Sequence, residues 1–340
     1  KKKLIAFGAG RTLKIAQKKH KLNLSYIIDN NSDLVNQRFQ KLRIFKLSKI
    51  KSEKKYIIII YSPRFYEIKL QLESYGLKYK KDFIHFLDLT IYKSLIDNLA
   101  NEICYKNLKY FLNPGDVCLD VGANVGLYTY KMSKLIKQKG KVLSFEPVEI
   151  AYNQIKLLKK KYSLNNCQIF NFAIGDKRKK SKILIPVINN VVQLGFSHIK
   201  TIKYKSKNVV KNKHSKKFYE KLNSGYEQKT KIELIDKIIQ KLKLKIVNYI
   251  KIDVEGFELE VIKGAIKTIK NHRPFIQAEF FYSKENQKKI FEYFKSLNYV
   301  FFYPSKNKMI KINNWKLING VNNYYLIPIE KLKMLKKIKY

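Results

Sequence analysis

The sequence predicts an α/β protein made of two units, each built on a parallel sheet. Short β-branched and aromatic runs alternate with helical stretches along the chain, and alternation of that kind sets successive strands parallel. The alternation also starts twice, once at the N-terminus and again near residue 116. A length of 340 residues suits about two domains at ~100–200 residues each.

The first unit is expected over residues 1–90. Residues 4–7 read as a buried strand, followed by Gly8-Ala9-Gly10 and a helix to about residue 20. Residues 26–28 read as a second strand ending in Asp29-Asn30-Asn31, and 56–61 as a third. A helical pattern over 65–75 closes at Gly76, as a C-cap would.

The second unit is expected over residues 91–335. Its lead-in is a helix over 91–112 with Leu95, Leu99, Ile103, Leu108 and Phe111 on the apolar side, stopped by Asn113-Pro114-Gly115. Strands then read at 117–121, 141–145, 168–172, 249–254, 275–280, 299–303 and 324–329. Helices fit 126–137, 149–163, 231–243, 257–270 and 284–297. Seven strands, the last two close together, predict a doubly wound sheet with an antiparallel terminal hairpin. Residues 176–230 break the alternation; Lys-rich and weakly periodic, they read as an insertion or lid.

Composition narrows the function classes. Hydrophobic residues make up 45% of the chain, enough to bury real cores. No apolar run approaches the ~18 residues of a membrane span. The N-terminus shows no signal-peptide pattern, although the chain opens on Lys1 rather than Met, as a slice of a longer protein would. Cys104, Cys118 and Cys167 have no metal-site or disulfide spacing, which points to a reducing, cytoplasmic setting. The net charge of +45 would suggest nucleic acid, but only six of the 71 basic residues are arginine. Lys, Ile, Asn, Tyr and Phe are abundant together and share A/T-rich codons, a sufficient explanation for the charge. Arginine, the residue suited to bidentate readout of phosphates and bases, is scarce. Nucleic acid is therefore not the expected partner, while diffuse lysine charge leaves contact with an anionic membrane surface or glycan as an expectation.

Three segments carry chemistry. Asp120-Val121-Gly122-Ala123-Asn124-Val125-Gly126 follows a strand and opens a helix, where glycine allows close backbone approach and free N–H groups suit a carboxylate or phosphate. Glu146-Pro147 ends the next strand, where a carboxylate can accept both hydroxyls of a ribose. Phe172 and Ala173 end the third strand, where they either flank the adenine or belong to the core. Lys251, Asp253 and Glu255 share one side of a strand end by period two, more charge than a buried strand end carries without a task. Glu279, inside an apolar strand, is either a paired core charge or a wall of the site. Asp253 and Glu279 offer two oxygen ligands but no full metal set, so no metal is expected. His198 sits in the Lys-rich insertion and reads as solvated, with a role as a base the remoter alternative.

With these residues assembled, the second unit resembles the FkbM-type methyltransferases. The carrying motifs are residues 115–126, Phe145-Glu146-Pro147 and residues 250–256, supported by Ala173-Ile174-Gly175-Asp176, Val261-Ile262-Lys263-Gly264-Ala265 and Arg273-Pro274. The resemblance implies a Rossmann-like class I methyltransferase sheet, S-adenosyl-L-methionine as methyl donor, and O-methylation of a sugar or other hydroxylated acceptor, lipid-linked glycans included. By the same resemblance the donor is lined by Asp120, Gly122, Ala123, Asn124, Gly126, Glu146, Pro147, Phe172, Ala173 and Asp253. Asp253 and Glu255 then face methyl transfer, with Lys251 tuning their charge. The long 186–230 connection departs from the family pattern. The first unit is similar to small Rossmann-like domains attached to sugar-modifying enzymes. It has Leu13 where a third glycine is expected, which favours a nucleotide-sugar contact or a scaffold role over dinucleotide binding. Two rival readings are a nucleic-acid methyltransferase, suggested by charge, and a non-catalytic scaffold that kept the fold.

Overall fold

Both expected parallel sheets form in the computed structural model, which describes residues 2–20, 22–62, 64–86, 102–188, 191–204, 216–280, 284–305, 308–315 and 323–335. The chain divides into one unit of Lys1–Ile91 with Ile188–Val192 and another of Tyr92–Val187 with Gln193–Tyr340. The expected boundary near residue 90, with Leu95 and Leu99 of the lead-in helix, lies outside the described residues.

The first unit contains β1 (Lys3–Phe7), β2 (Tyr26–Ile28), β3 (Arg38–Phe39), β4 (Leu42–Phe45), β5 (Tyr56–Ile60) and β6 (Phe83–His85) in the order β3-β4-β2-β1-β5-β6. All pairs are parallel except β3 with β4. Fully buried Ala6, Leu13 and Ile27 form the core beside β1 and β2. Leu13, standing where a third glycine was expected, is thus a core residue. Gly8 turns with φ +104°, and Asp29 at the end of β2 accepts the Ala9 and Asn31 N–H groups at 2.7 and 2.9 Å.

The second unit is laid on β7 (Val117–Val121), β8 (Lys141–Phe145), β9 (Cys167–Phe170), β10 (Ala173–Ile174), β11 (Lys179–Ile188), β13 (His198–Ile199), β14 (Gly225–Glu233), β15 (Tyr249–Ile252), β16 (Phe275–Glu279), β17 (Tyr299–Ser305), β18 (Lys308–Ile312) and β19 (Asn323–Pro328), while β12 (Val191–Val192) lies in the segment grouped with the first unit. The main sheet has eight strands in the order β18-β17-β19-β16-β15-β7-β8-β9. From β9 to β16 the neighbours are parallel; β19, β17 and β18 are antiparallel. The expected seven strands are joined by β18, a short edge strand whose Lys-Met-Ile-Lys-Ile alternation is too brief to stand out. The central strands are buried on both faces, so they read as continuous apolar runs. Leu119, Leu143, Ile250 and Leu326 are fully buried among them. Phe111, from the helix Ile103–Phe111, stacks on Tyr325 at 4.6 Å and closes one face.

The chain leaves β7 toward β8 on one side and reaches β15 on the other. This is a topological switch point, where loops diverge and leave a crevice at the strands' carboxyl ends.

The expected lid at 176–230 is instead largely a second sheet. In it β14 runs parallel to β10 and antiparallel to β11, and β13 pairs antiparallel with β11. Its outward positions are lysines and glutamates, residues depleted in strands, which hid the period-two pattern. A cross-strand ion pair, Lys182–Glu227 at 2.8 Å, replaces apolar contact there. For the same reason the helix expected at 231–243 shrinks to Ile235–Lys241. The helix expected at 257–270 breaks into Glu258–Lys263 and Ile266–His272 at Gly264. No helix among the described residues is long and apolar enough to cross a membrane.

Gly264 has ordinary right-handed helical geometry, yet a Cβ there would lie 2.0 Å from the Gly175 carbonyl oxygen. Gly264→Ala, normally favourable at a helical position, should therefore destabilise the chain by about 1–3 kcal/mol through overpacking. Urea denaturation midpoints would measure this.

Candidate active site

The crevice is built from the strand ends upward. Gly122 leaves β7 at φ +77°, and a Cβ on it would fall 1.7 Å from the Asp253 carbonyl oxygen. The Asp253 N–H in turn donates to the Val121 carbonyl at 3.0 Å. Glycine is required here because two backbones converge, a constraint that exists before any ligand binds. The loop continues through Asn124 in left-handed geometry, and the Asn124 N–H donates to Glu146 Oε2 at 2.7 Å. The Val148 N–H donates to Glu146 Oε1, also at 2.7 Å. A carboxylate has about four acceptor lobes, so Glu146 keeps two beyond these bonds. Burial pushes its carboxyl up to about 8 against the pull of the two N–H groups.

The neighbouring strand end is acidic around one lysine. Lys251 Nζ lies 2.9 Å from Asp253 Oδ2, 3.9 Å from Asp120 Oδ1, and 4.7 Å from the Tyr128 ring centre. Burial opposes its charge, but Asp253 and Asp120 outweigh that and hold its pKa above the ordinary lysine value. β15 stops at Ile252, so strand alternation does not place Glu255. It is held by a left-handed turn at φ +55°, a conformation a glutamate rarely adopts, found where surrounding structure enforces it. Tyr204 Oη donates to Glu255 Oε2 at 2.7 Å. Glu279 is a site wall rather than a core charge: Asp253, Glu255 and Glu279 each bring one oxygen within 4.8 Å of the others. Burial, then the Asp253 and Glu255 carboxylates, raise the pKa of Glu279 well above the usual range. Three hard oxygens at this spacing could hold a divalent cation, a set the sequence left one ligand short.

These groups line one crevice at the carboxyl ends of the strands. Gly122, Asn124, Glu146, Pro147, Ala173, Asp253 and Glu255 lie on its wall. An adjoining pocket shares Gly122, Asn124, Asp253 and Glu279 and adds Ala123, Lys251 and Glu102. Three residues expected to line the donor lie behind the wall. Asp120 is fully buried, accepting from Thr129 Oγ1 at 2.6 Å, and acts as an anchor for Lys251. Gly126 packs against the helix Glu149–Tyr162, where an added Cβ would meet Ile155 and Leu158 at 3.0–3.2 Å. Phe172 joins Phe145 and Phe170 in an aromatic cluster against the core.

Sequence reasoning missed several contributors. Glu102 accepts Tyr128 Oη at 2.7 Å, Gln277 Nε2 donates to that same hydroxyl at 3.3 Å, and Tyr249 Oη donates to Gln277 Oε1 at 2.7 Å. No local pattern marks these residues, since their partners are distant in sequence. His198, read as solvated, is 1% exposed and stands in the crevice wall. Its short strand could be found only through its pairing with β11.

A doubly wound sheet with a glycine loop after its first strand, an acid after its second and a polar crevice between them defines a class I methyltransferase that uses S-adenosylmethionine. The chain belongs to the FkbM methyltransferase family: the model of the methyltransferase FkbM domain matches residues 120–301, more than half of its length. Among solved structures, the chain is similar to methyltransferase FkbM from Methylobacillus flagellatus KT (12% identity, 95% of this chain and 89% of that one, TM-score 0.40). It is also similar to precorrin-6y C5,15-methyltransferase from Geobacter metallireducens GS-15 (12% identity, 66% and 85%, TM-score 0.34). A third is a chain from Streptococcus mutans described as a methyltransferase, in complex with SAH (11% identity, 70% and 98%, TM-score 0.37). No curated protein matches it.

The Glu146 environment gives a signed pH dependence. Its folded pKa, about 8, exceeds the unfolded value, so the folded chain keeps a proton the unfolded chain has lost. This term makes stability fall as pH rises from the ordinary carboxylate range through about 8. Glu146→Gln should remove that slope, while leaving one of the Asn124 and Val148 N–H groups without its acceptor. It should also abolish S-adenosylhomocysteine binding. Denaturation series across pH, with calorimetry, check both.

Proposed function

We propose that the chain transfers the methyl group of S-adenosylmethionine to a hydroxyl of a sugar or glycan. The observation that carries this reading is the cluster of Asp253, Glu255 and Glu279 oxygens on one wall of the crevice, a set of acceptors suited to a polyhydroxylated molecule whose groups are donors. Family membership supports it. Lipid-linked acceptors and attraction of the lysine-rich surface to an anionic membrane belong to the same reading.

The residues fit the donor. Glu146, with two acceptor lobes left over, would take the ribose hydroxyls. The Gly122–Asn124 backbone and the adjoining pocket with Lys251 and Glu102 would take the amino-acid end, and Pro147 and Ala173 would border the base. When bound, the donor supplies an electrophilic methyl carbon on a sulfonium. The chain's part is to hold an acceptor oxygen on line with it, within ~3–3.5 Å. Lys251 holds Asp253 in orientation through their 2.9 Å contact, and Asp253 with Glu255 grips the acceptor hydroxyls.

Labelled S-adenosylmethionine, offered with a panel of methyl glycosides and separately with total RNA, should label a glycoside; label in RNA alone would overturn the reading. Mass spectrometry of surface glycans from cells with and without the gene should show the loss of one CH2 unit. Asp253→Asn should lower incorporation roughly a hundredfold or more while S-adenosylhomocysteine affinity, measured by calorimetry, stays within about threefold.

A further inference from the structure

A buried base stands in the crevice wall with one nitrogen unsatisfied. His198 on β13 faces Leu184 of β11 in register and is 1% exposed. Its Nδ1 lies 2.8 Å from the Phe196 carbonyl oxygen. A carbonyl only accepts, so Nδ1 must carry the hydrogen and Nε2 is left with its lone pair. Nε2 is itself buried and has no hydrogen-bond partner among the described residues. Burial, reinforced by Lys203 and opposed by the Phe196 carbonyl, lowers the imidazole pKa, which leaves the ring neutral. Tyr204 meets the ring edge-on at 4.8 Å, and its hydroxyl runs on to Glu255. An imidazole pinned through one nitrogen to a backbone carbonyl presents the other to a ligand in fixed orientation.

The other bases on this wall are engaged. Asp253 is paired with Lys251, Glu255 receives the Tyr204 hydroxyl, and Glu279 is crowded by the Asp253 and Glu255 carboxylates. A carboxylate bound to an ammonium is a poorer proton acceptor than a neutral imidazole.

We propose that His198 Nε2 binds the acceptor hydroxyl and takes its proton during methyl transfer. The proposal rests on the hydroxyl-acceptor reading above. As the new oxygen–carbon bond forms, the O–H bond breaks and its electron pair stays on oxygen. The pair of the breaking carbon–sulfur bond stays on sulfur. The proton goes to Nε2, and the resulting imidazolium returns it to solvent as product leaves. No further reactant is needed.

The first test needs no acceptor. In protein labelled with ¹⁵N-histidine, the His198 resonances, assigned by their absence in His198→Gln, should show a neutral Nδ1–H tautomer with a bare Nε2, both free and with S-adenosylhomocysteine. An Nε2–H tautomer, or an imidazolium at neutral pH, would overturn the proposal. The second test uses the glycoside labelled in the panel assay. His198→Gln should bind S-adenosylhomocysteine within about threefold of wild type, keep KM within a few-fold and lose about a hundredfold in kcat. Added imidazole should restore part of the activity of His198→Ala, a rescue that a merely structural histidine would not permit. Undiminished turnover in His198→Gln, or loss of S-adenosylhomocysteine binding in both variants, would also overturn it. If neither variant folds, the tautomer decides. Label found only on nitrogen would defeat the hydroxyl reading while leaving the tautomer measurement to stand.

Discussion

The convergence of two backbones at the sheet's switch point holds the site together. Val121 accepts the Asp253 N–H, and Gly122 passes so close to the Asp253 carbonyl that no side chain fits between them. Everything functional hangs from that junction. On one side the chain curls through Asn124 to hold Glu146; on the other it turns through Glu255 into the helix Glu258–Lys263. The constraint is short-ranged and steric, so it fixes the relative position of two loops that are more than a hundred residues apart in the chain.

A second constraint is electrostatic. Lys251 is a buried cation between Asp120 and Asp253, with Glu102 and Glu279 in the same pocket wall. Removing one partner of such a buried set leaves an uncompensated charge, which typically costs about 3–5 kcal/mol. The lysine thereby links the core of the sheet to the reactive rim. Glu146 and Glu279 have raised pKa values because burial disfavours their anions, and a ligand that donates hydrogen bonds or brings positive charge relieves that penalty. A site that is acidic inside a chain of net charge +45 also shows that the surface lysines and the chemistry are separate matters.

The glycine loop, the acid at 146, Lys251 and Asp253 were legible because each lies at or just past a strand end, where local sequence dictates local geometry, whereas Glu255 is placed by its left-handed turn. Their roles were less legible. Asp120 and Glu146 both follow apolar runs, yet one is sealed beneath the wall and the other forms it. Gly126 and Phe172 belong to the right segments but face the packing side. His198 was misjudged because the lysines around it suggested solvent, whereas its strand is covered by partners supplied from elsewhere in the chain.

The sequence by itself determined the parallel architecture, its two starts and the strand-end motifs, because period, apolar runs and glycine stereochemistry act over a few residues. Tertiary structure alone decided that residues 173–233 include a second sheet, and that Glu279 joins Asp253 and Glu255. It alone decided too that His198, a residue of the crevice wall, keeps a buried nitrogen with no hydrogen-bond partner among the described residues. Those outcomes depend on pairings and burial between distant segments, and no local pattern encodes which distant surface will exclude water from a given side chain.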